Sequence, residues 1–140
     1  MYHLVYLSHA TRPLAHEDVL TLLRVSRDNN ARAELTGVLL YAHERFFQVL
    51  EGSRTAVKAT AARIARDPRH SRMQVLLEEP IADRTFVQWA MGFVPADTLP
   101  ADTQAAFTTM LLTPPSGSTD VQSHKVLRLL LKTFRAGVLY

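Results

Sequence analysis

The chain has 140 residues, 47% of them hydrophobic, with a formal net charge of +3 and no cysteine. This is enough apolar material for one domain with a real core and too little for two. The absence of cysteine excludes disulfides, thiolate catalysis and any photochemistry that needs a cysteine adduct. No apolar run reaches the roughly 18 residues of a spanning helix, and the start at Tyr2-His3-Leu4 lacks the layout of a signal peptide, so a cytoplasmic protein without membrane association is expected. Acidic and basic side chains interleave over the first hundred residues instead of forming a basic stripe, so nucleic acid is not an expected partner.

In chain order, His3 to Ser8 reads as a short buried strand, and a turn at Thr11-Arg12-Pro13 leads into a helix over about 15–31, with Val19, Leu22, Leu23 and Val25 on its apolar side. Thr36 to Tyr41 and Arg45 to Glu51 are strands so close together that they must form an antiparallel hairpin. Gly52 ends the second of these, and Ser53 is placed to cap a second helix whose apolar face is Val57, Ala61 and Ile64. A fourth strand is expected over Met73 to Leu77. After an irregular stretch around Asp83-Arg84-Thr85, a fifth is expected over Trp89 to Val94.

The resulting βαββαββ order predicts an α+β, ferredoxin-like arrangement with two helices on one face of a mainly antiparallel sheet. The strands are apolar on both faces, so the second face also needs a cover. Helices over about 101–112 and 119–135, joined by Pro114-Pro115-Ser116-Gly117-Ser118, are the expected cover, dividing the chain into a core over 1–95 and a helical extension over 96–140. The last helix carries Leu127, Leu130, Leu131 and Phe134 on one side and Lys125, Arg128, Lys132 and Arg135 on another. The basic side can face water or dock an acidic partner.

Four polar or aromatic features stand out against this apolar background. Gln48 lies within Phe46-Phe47-Gln48-Val49-Leu50, and a buried amide left unpaired costs about 1–3 kcal/mol, so something must satisfy it. Tyr6 shares a strand face with Leu4 and Ser8. Asn29 and Asn30 stand at the end of the first helix, and Trp89 and Met91 share a face of the last strand. Ordinary core packing or helix termination accounts for each one alone. Together they supply an aromatic hydroxyl, amide groups and a polarizable rim, which is what a flat heteroaromatic ring with carbonyl and N–H edges requires.

The chain resembles the BLUF family of flavin photoreceptors. The resemblance is carried by Leu4-Val5-Tyr6-Leu7-Ser8, Asn29-Asn30 with Leu35-Thr36-Gly37-Val38-Leu39-Leu40-Tyr41, Phe46-Phe47-Gln48-Val49-Leu50-Glu51-Gly52, Asp67-Pro68-Arg69-His70, Glu78-Glu79-Pro80-Ile81 and Phe86-Val87-Gln88-Trp89-Ala90-Met91. These segments follow the family's order from about residue 3 to residue 94. Leu35 stands where the family often has isoleucine, a volume-conserving difference.

This resemblance implies a blue-light receptor that holds FAD, or another flavin such as FMN, without a covalent bond between the two helices. It implies that Tyr6 gives up an electron and a proton, that Gln48 rearranges its hydrogen bonds, and that Asn30 and Asn29 hold the ring's polar edge. Leu22 and Ile64 would flank the ring, while Arg63, Asp67, Arg69 and His70 would reach the ring or its tail. Trp89 and Met91 would relay the change to the C-terminal helices, and from there to a downstream protein or a second copy of the chain in a homo-oligomer.

Enzymatic activity is not expected, since no phosphate-binding, dinucleotide-binding, zinc-protease or nucleophile-elbow pattern is present. The histidines, His3, His9, His16, His43, His70 and His124, lack metal-ligand spacing. The competing reading is a light-independent ferredoxin-like module that binds a small molecule or a protein.

Overall fold

The computed structural model describes residues 1–87, 90–93 and 100–112. Its elements are β1 (Tyr2–Ala10), α1 (His16–Arg32), β2 (Thr36–Ala42), β3 (Arg45–Gly52), α2 (Arg54–Ala65), β4 (His70–Pro80), β5 (Gly92–Phe93) and α3 (Ala101–Leu112). The sheet order is β4-β1-β3-β2-β5. All pairs are antiparallel except β2 with β5, which run parallel. The ferredoxin-like α+β arrangement read from the sequence is the observed one.

Local chemistry accounts for the element ends. Asp18 accepts the Ala15 N–H at 3.0 Å, and Glu17 and Asp18 in the first turn of α1 complement the helix dipole. Ser53 Oγ accepts the Ala56 N–H at 3.1 Å, the expected cap of α2. Ala42 pairs with Arg45 across a two-residue turn, and His43 and Glu44 both have positive φ, at 53° and 59°. Positive φ at both central residues marks a type I′ turn, whose twist matches that of the strands it joins. At Gly37 a Cβ would fall 1.9 Å from the Val49 carbonyl oxygen, so only glycine allows β2 to lie this close to β3.

The two sheet faces are covered differently. On one, Leu4, Tyr6, Leu39, Phe46 and Leu50 pack with Val19, Leu22 and Leu23 of α1 and Val57 and Ala61 of α2. On the other, Val5, Leu7, Val38, Leu40, Phe47 and Val49 are equally buried, and Phe107 of α3 meets Phe47 edge-on at 5.6 Å. Each such fully buried side chain contributes about 1.5–3 kcal/mol, and this favours covering both faces. The expected cover of the second face is therefore met by α3. The helix expected over 119–135, the 95/96 boundary and Trp89 lie outside the described residues.

Three details differ from expectation. Strand β4 is longer than Met73 to Leu77 and begins at His70, with shifts in its register against β1 and a positive φ of 50° at Arg72. Val25 is 42% exposed and does not join the core. Among the described residues the last strand comprises only Gly92 and Phe93, because the carbonyls of Ala90 and Met91 are taken by side chains of α1 instead of a sheet ladder.

The stretch before β5 is irregular in path but firmly tied. Buried Glu51 accepts the N–H groups of Thr85 and Phe86 at 2.7 and 2.8 Å. Arg84 donates to the Glu34 carbonyl at 2.7 Å, the Glu51 carbonyl at 3.1 Å and Thr36 Oγ1 at 2.8 Å. Charge-assisted bonds of this kind anchor the segment to the ends of β2 and β3.

Candidate functional site

A cleft opens between α1, α2 and the sheet face they cover, enclosing about 740 Å³ of empty space with its solvent mouth included. Its floor comes from β1, β2 and β3, which contribute Tyr6, Leu39 and Gln48. The register places Gln48 directly opposite Tyr6 on one side and Leu39 on the other. Strand alternation therefore sends all three side chains to the same face. One wall is α1, with Leu22, Val25, Ser26, Asn29 and Asn30, and the other is α2, with Thr60, Arg63 and Ile64. Asp67, Arg69 and His70 close the end where α2 passes into β4.

The polar floor is a connected chain of bonds. Tyr6, 1% exposed, donates its hydroxyl to Gln48 Oε1. Gln48 Nε2 donates in turn to Met91 Sδ at 3.3 Å, and both residues are buried. A thioether sulfur is a weak acceptor, so this bond costs little to give up. Burial pushes the Tyr6 phenol above its ordinary pKa, and the charge of Asp67 pushes in the same direction. Asn30 donates from Nδ2 to the Ala90 carbonyl at 2.8 Å. An amide carries a second donor and an acceptor oxygen, so Asn30 retains bonding capacity at the cleft wall.

At the closed end, Asp67 binds Arg69 through both carboxylate oxygens, at 2.6 Å in the shortest contact. That contact holds the Asp67 carboxyl down at about 2. His70 shares a 2.7 Å hydrogen bond with Ser8 Oγ and lies against Phe46 with ring centres 4.4 Å apart. Its burial lowers it to about 4, so it is neutral at physiological pH.

The structure thus brings Tyr6, Gln48, Asn29, Asn30, Leu22, Ile64, Arg63, Asp67, Arg69 and His70 into one cleft, with Met91 bonded to its floor. Val25, Ser26, Leu39 and Thr60 also line it and were not singled out as site residues. Helical spacing from Leu22 to Val25 and Ser26, and from Thr60 to Ile64, was the signal available for three of them. Leu39 follows only from the β2–β3 register.

These residues suit a flavin. Apolar side chains on two facing helices can sandwich a flat ring, and the amides of Asn30 and Gln48 can meet its polar edge. Fold and cleft together define an α+β domain with a partly polar cleft between two helices and the sheet.

Comparison with known proteins places the domain more narrowly. The family model described as "BLUF: Sensors of blue-light using FAD" matches residues 1–92. The chain belongs to the BLUF family. It is 35% identical over 89 residues to the photoactivated adenylate cyclase subunit beta of Euglena longa, a match covering 63% of this chain and 10% of that protein. The chain thus spans about a tenth of the length of that relative. Among solved structures, the dark state of the BLUF protein BlrB superposes with a TM-score of 0.77 at 28% identity, over 96% of this chain and 95% of that one. Klebsiella pneumoniae BlrP1 with FMN and cyclic diGMP superposes with a TM-score of 0.68 at 28% identity, over 96% of this chain and 34% of its own.

Proposed function

We propose that the cleft holds a flavin between α1 and α2 and that Tyr6 and Gln48 convert blue light into a rearranged hydrogen-bond network. The observation that carries this reading is the buried chain from the Tyr6 hydroxyl to Gln48 Oε1 and from Gln48 Nε2 to Met91 Sδ. The bound flavin supplies absorption of blue light and, when excited, a ring that accepts an electron.

In this reading Leu22 and Ile64 flank the ring, and Asn30, with Asn29 beside it, holds the polar edge. Arg63, Asp67, Arg69 and His70 face the ribityl chain or tail. FAD is the family's cofactor, and FMN, present in the BlrP1 structure, is the other candidate.

Tyr6 is the electron donor. Its burial opposes loss of the proton before the electron. Once the electron has gone to the bound ring the oxidised phenol is strongly acidic, and its proton would pass along the bond to Gln48 Oε1 while Gln48 Nε2 releases one toward the ring's polar edge, so the amide stays neutral. Gln48 then rotates or tautomerises. Rotation turns Nε2 toward the Tyr6 oxygen, where a donor replaces an acceptor, and Oε1 toward Met91 Sδ, where two acceptors face each other and the hydrogen bond is lost. Each altered bond is worth about 1 kcal/mol, too little to refold the domain and enough to bias a two-state segment.

That segment contains Met91, and Trp89 by the family resemblance. The signal passes through the C-terminal helices to a separate protein or a second copy of the chain. The sensor's own residues carry no reaction on a further substrate, and the cyclase relative indicates the kind of effector such a domain controls. The test is the visible spectrum of the purified chain before and after blue light. A reversible red shift is the expected result. A colourless protein, or an unchanged flavin spectrum, would instead favour a light-independent binding module.

A further inference from the structure

We propose that Arg27 is a positioning residue that latches the Met91 segment to the wall of the cleft and sets how fast the lit state relaxes. This rests on the photoreceptor reading above.

Arg27 Nε donates to the Met91 carbonyl at 2.8 Å. One turn further along α1, Asn30 Nδ2 donates to the Ala90 carbonyl, also at 2.8 Å. Positions three apart on a helix share a face, so the pair grips two consecutive carbonyls from one rigid support. The side chain of Met91 is held from a different element, by Gln48 of β3. Two residues of irregular backbone thus receive three bonds from outside, just before β5, which among the described residues joins the sheet through Val38–Gly92 and Leu39–Phe93.

These bonds differ in strength, and the difference gives Arg27 its role. The N–H to sulfur bond is weak, and it is the one Gln48 breaks when it rearranges. The guanidinium–carbonyl bond is charge-assisted and lies outside the Tyr6–Gln48 chain. Arg27 Nη2 is buried as well, so the guanidinium packs against the protein beside the Met91 segment. Arg27 therefore holds the backbone while Gln48 releases the side chain. It limits the excursion of Met91 and returns the sulfur to Gln48.

The experiment uses the full chain with its bound flavin and compares the parent with Arg27→Met and Arg27→Lys. Backbone amide exchange across residues 90–93 is measured in the dark, and thermal recovery is followed after a blue pulse. Arg27→Met keeps the unbranched chain as far as the Nε position and removes the donor. It should leave the amplitude of the red shift unchanged, and speed exchange and slow recovery each by roughly ten- to hundredfold, the loss expected for one bond to a charged group. Arg27→Lys restores a charged donor and should bring both quantities back toward the parent.

Unchanged exchange and recovery in Arg27→Met would overturn the latch, as would a failure of Arg27→Lys to restore either quantity. A parent without a light-induced shift would sink the photoreceptor reading and the kinetic role with it. Dark exchange in Arg27→Met reports on the latch separately from that failure.

Discussion

Tyr6 and Gln48 are direct cross-strand partners on β1 and β3, and the phenol donates its hydrogen bond to the amide oxygen in a region closed to water. A one-residue slip of this register would send Gln48 to the opposite face and break the chain to Met91. The photochemical pair is thus a property of strand pairing as much as of residue identity.

Replacing Tyr6 with Phe removes the only donor shown for Gln48 Oε1 among the described residues, while keeping the ring that packs beneath the cleft. The variant should bind flavin, show no light-induced red shift and lose about 1–3 kcal/mol of stability from the unpaired oxygen. Difference spectroscopy and urea denaturation check the two parts. A normal photocycle in the variant would place the electron donor elsewhere.

Met91 combines packing with a weak acceptor, and two substitutions separate these roles. Met91→Leu conserves volume and should cost less than about 1.5 kcal/mol, whereas Met91→Ala leaves a cavity and should cost about 2–5 kcal/mol. Both remove the sulfur that receives Gln48 Nε2. Vibrational difference spectra in Met91→Leu should therefore show a changed Gln48 amide band with a retained flavin shift. An amide band identical to the parent's would show that the sulfur contact is incidental.

Acid should weaken the flavin-free fold in two stages. Burial lowers His70 from an ordinary 6.5 to about 4, so between these values the unfolded chain takes up a proton that the folded chain refuses. Stability falls as pH drops through that window. Asp67, held down at about 2 by Arg69, contributes stability above its ordinary 3.8 that is lost as pH falls toward 2. Urea midpoints measured across pH should show both stages in the parent, and only the lower one in His70→Gln. An unaltered upper stage in that variant would assign it to another group.

On the far face, Phe107 of α3 covers Phe47. Phe107→Ala should destabilise the domain by about 3–5 kcal/mol while leaving the flavin spectrum in place, because the cleft lies on the opposite side of the sheet. Deletion from Ala101 onward should go further, exposing the apolar residues around Phe47 and promoting aggregation. Calorimetry and light scattering test both. A truncated chain with undiminished stability and output would move the second cover and the output surface away from α3.

Much of the site was legible in the sequence because it is written in local patterns. Alternation along β1 and β3 placed Tyr6 and Gln48 inside, and the family segments extended the set to both helices. Leu39 was harder to see, since an apolar residue in an apolar strand carries no mark of facing a cleft. Val25 carried a misleading one: helical spacing suggested core, but α1 overhangs the cleft at that turn and leaves it 42% exposed. His70, outside the strand expected over Met73 to Leu77, begins β4, where Ser8 and Phe46 hold it.

The sequence by itself determined the element order, the two-sided burial of the sheet and the presence of a phenol and an amide where a core should be, because side-chain period and hydrophobicity are properties of neighbouring residues. Only the tertiary structure decided that Met91 gives its sulfur to Gln48, that Arg27 and Asn30 take the carbonyls beside it, and that Glu51 and Arg84 anchor the preceding turn. Those contacts join residues 33–64 positions apart through backbone with no repeating pattern. Their geometry is set by the path of the chain around the finished sheet, so no periodicity announces them.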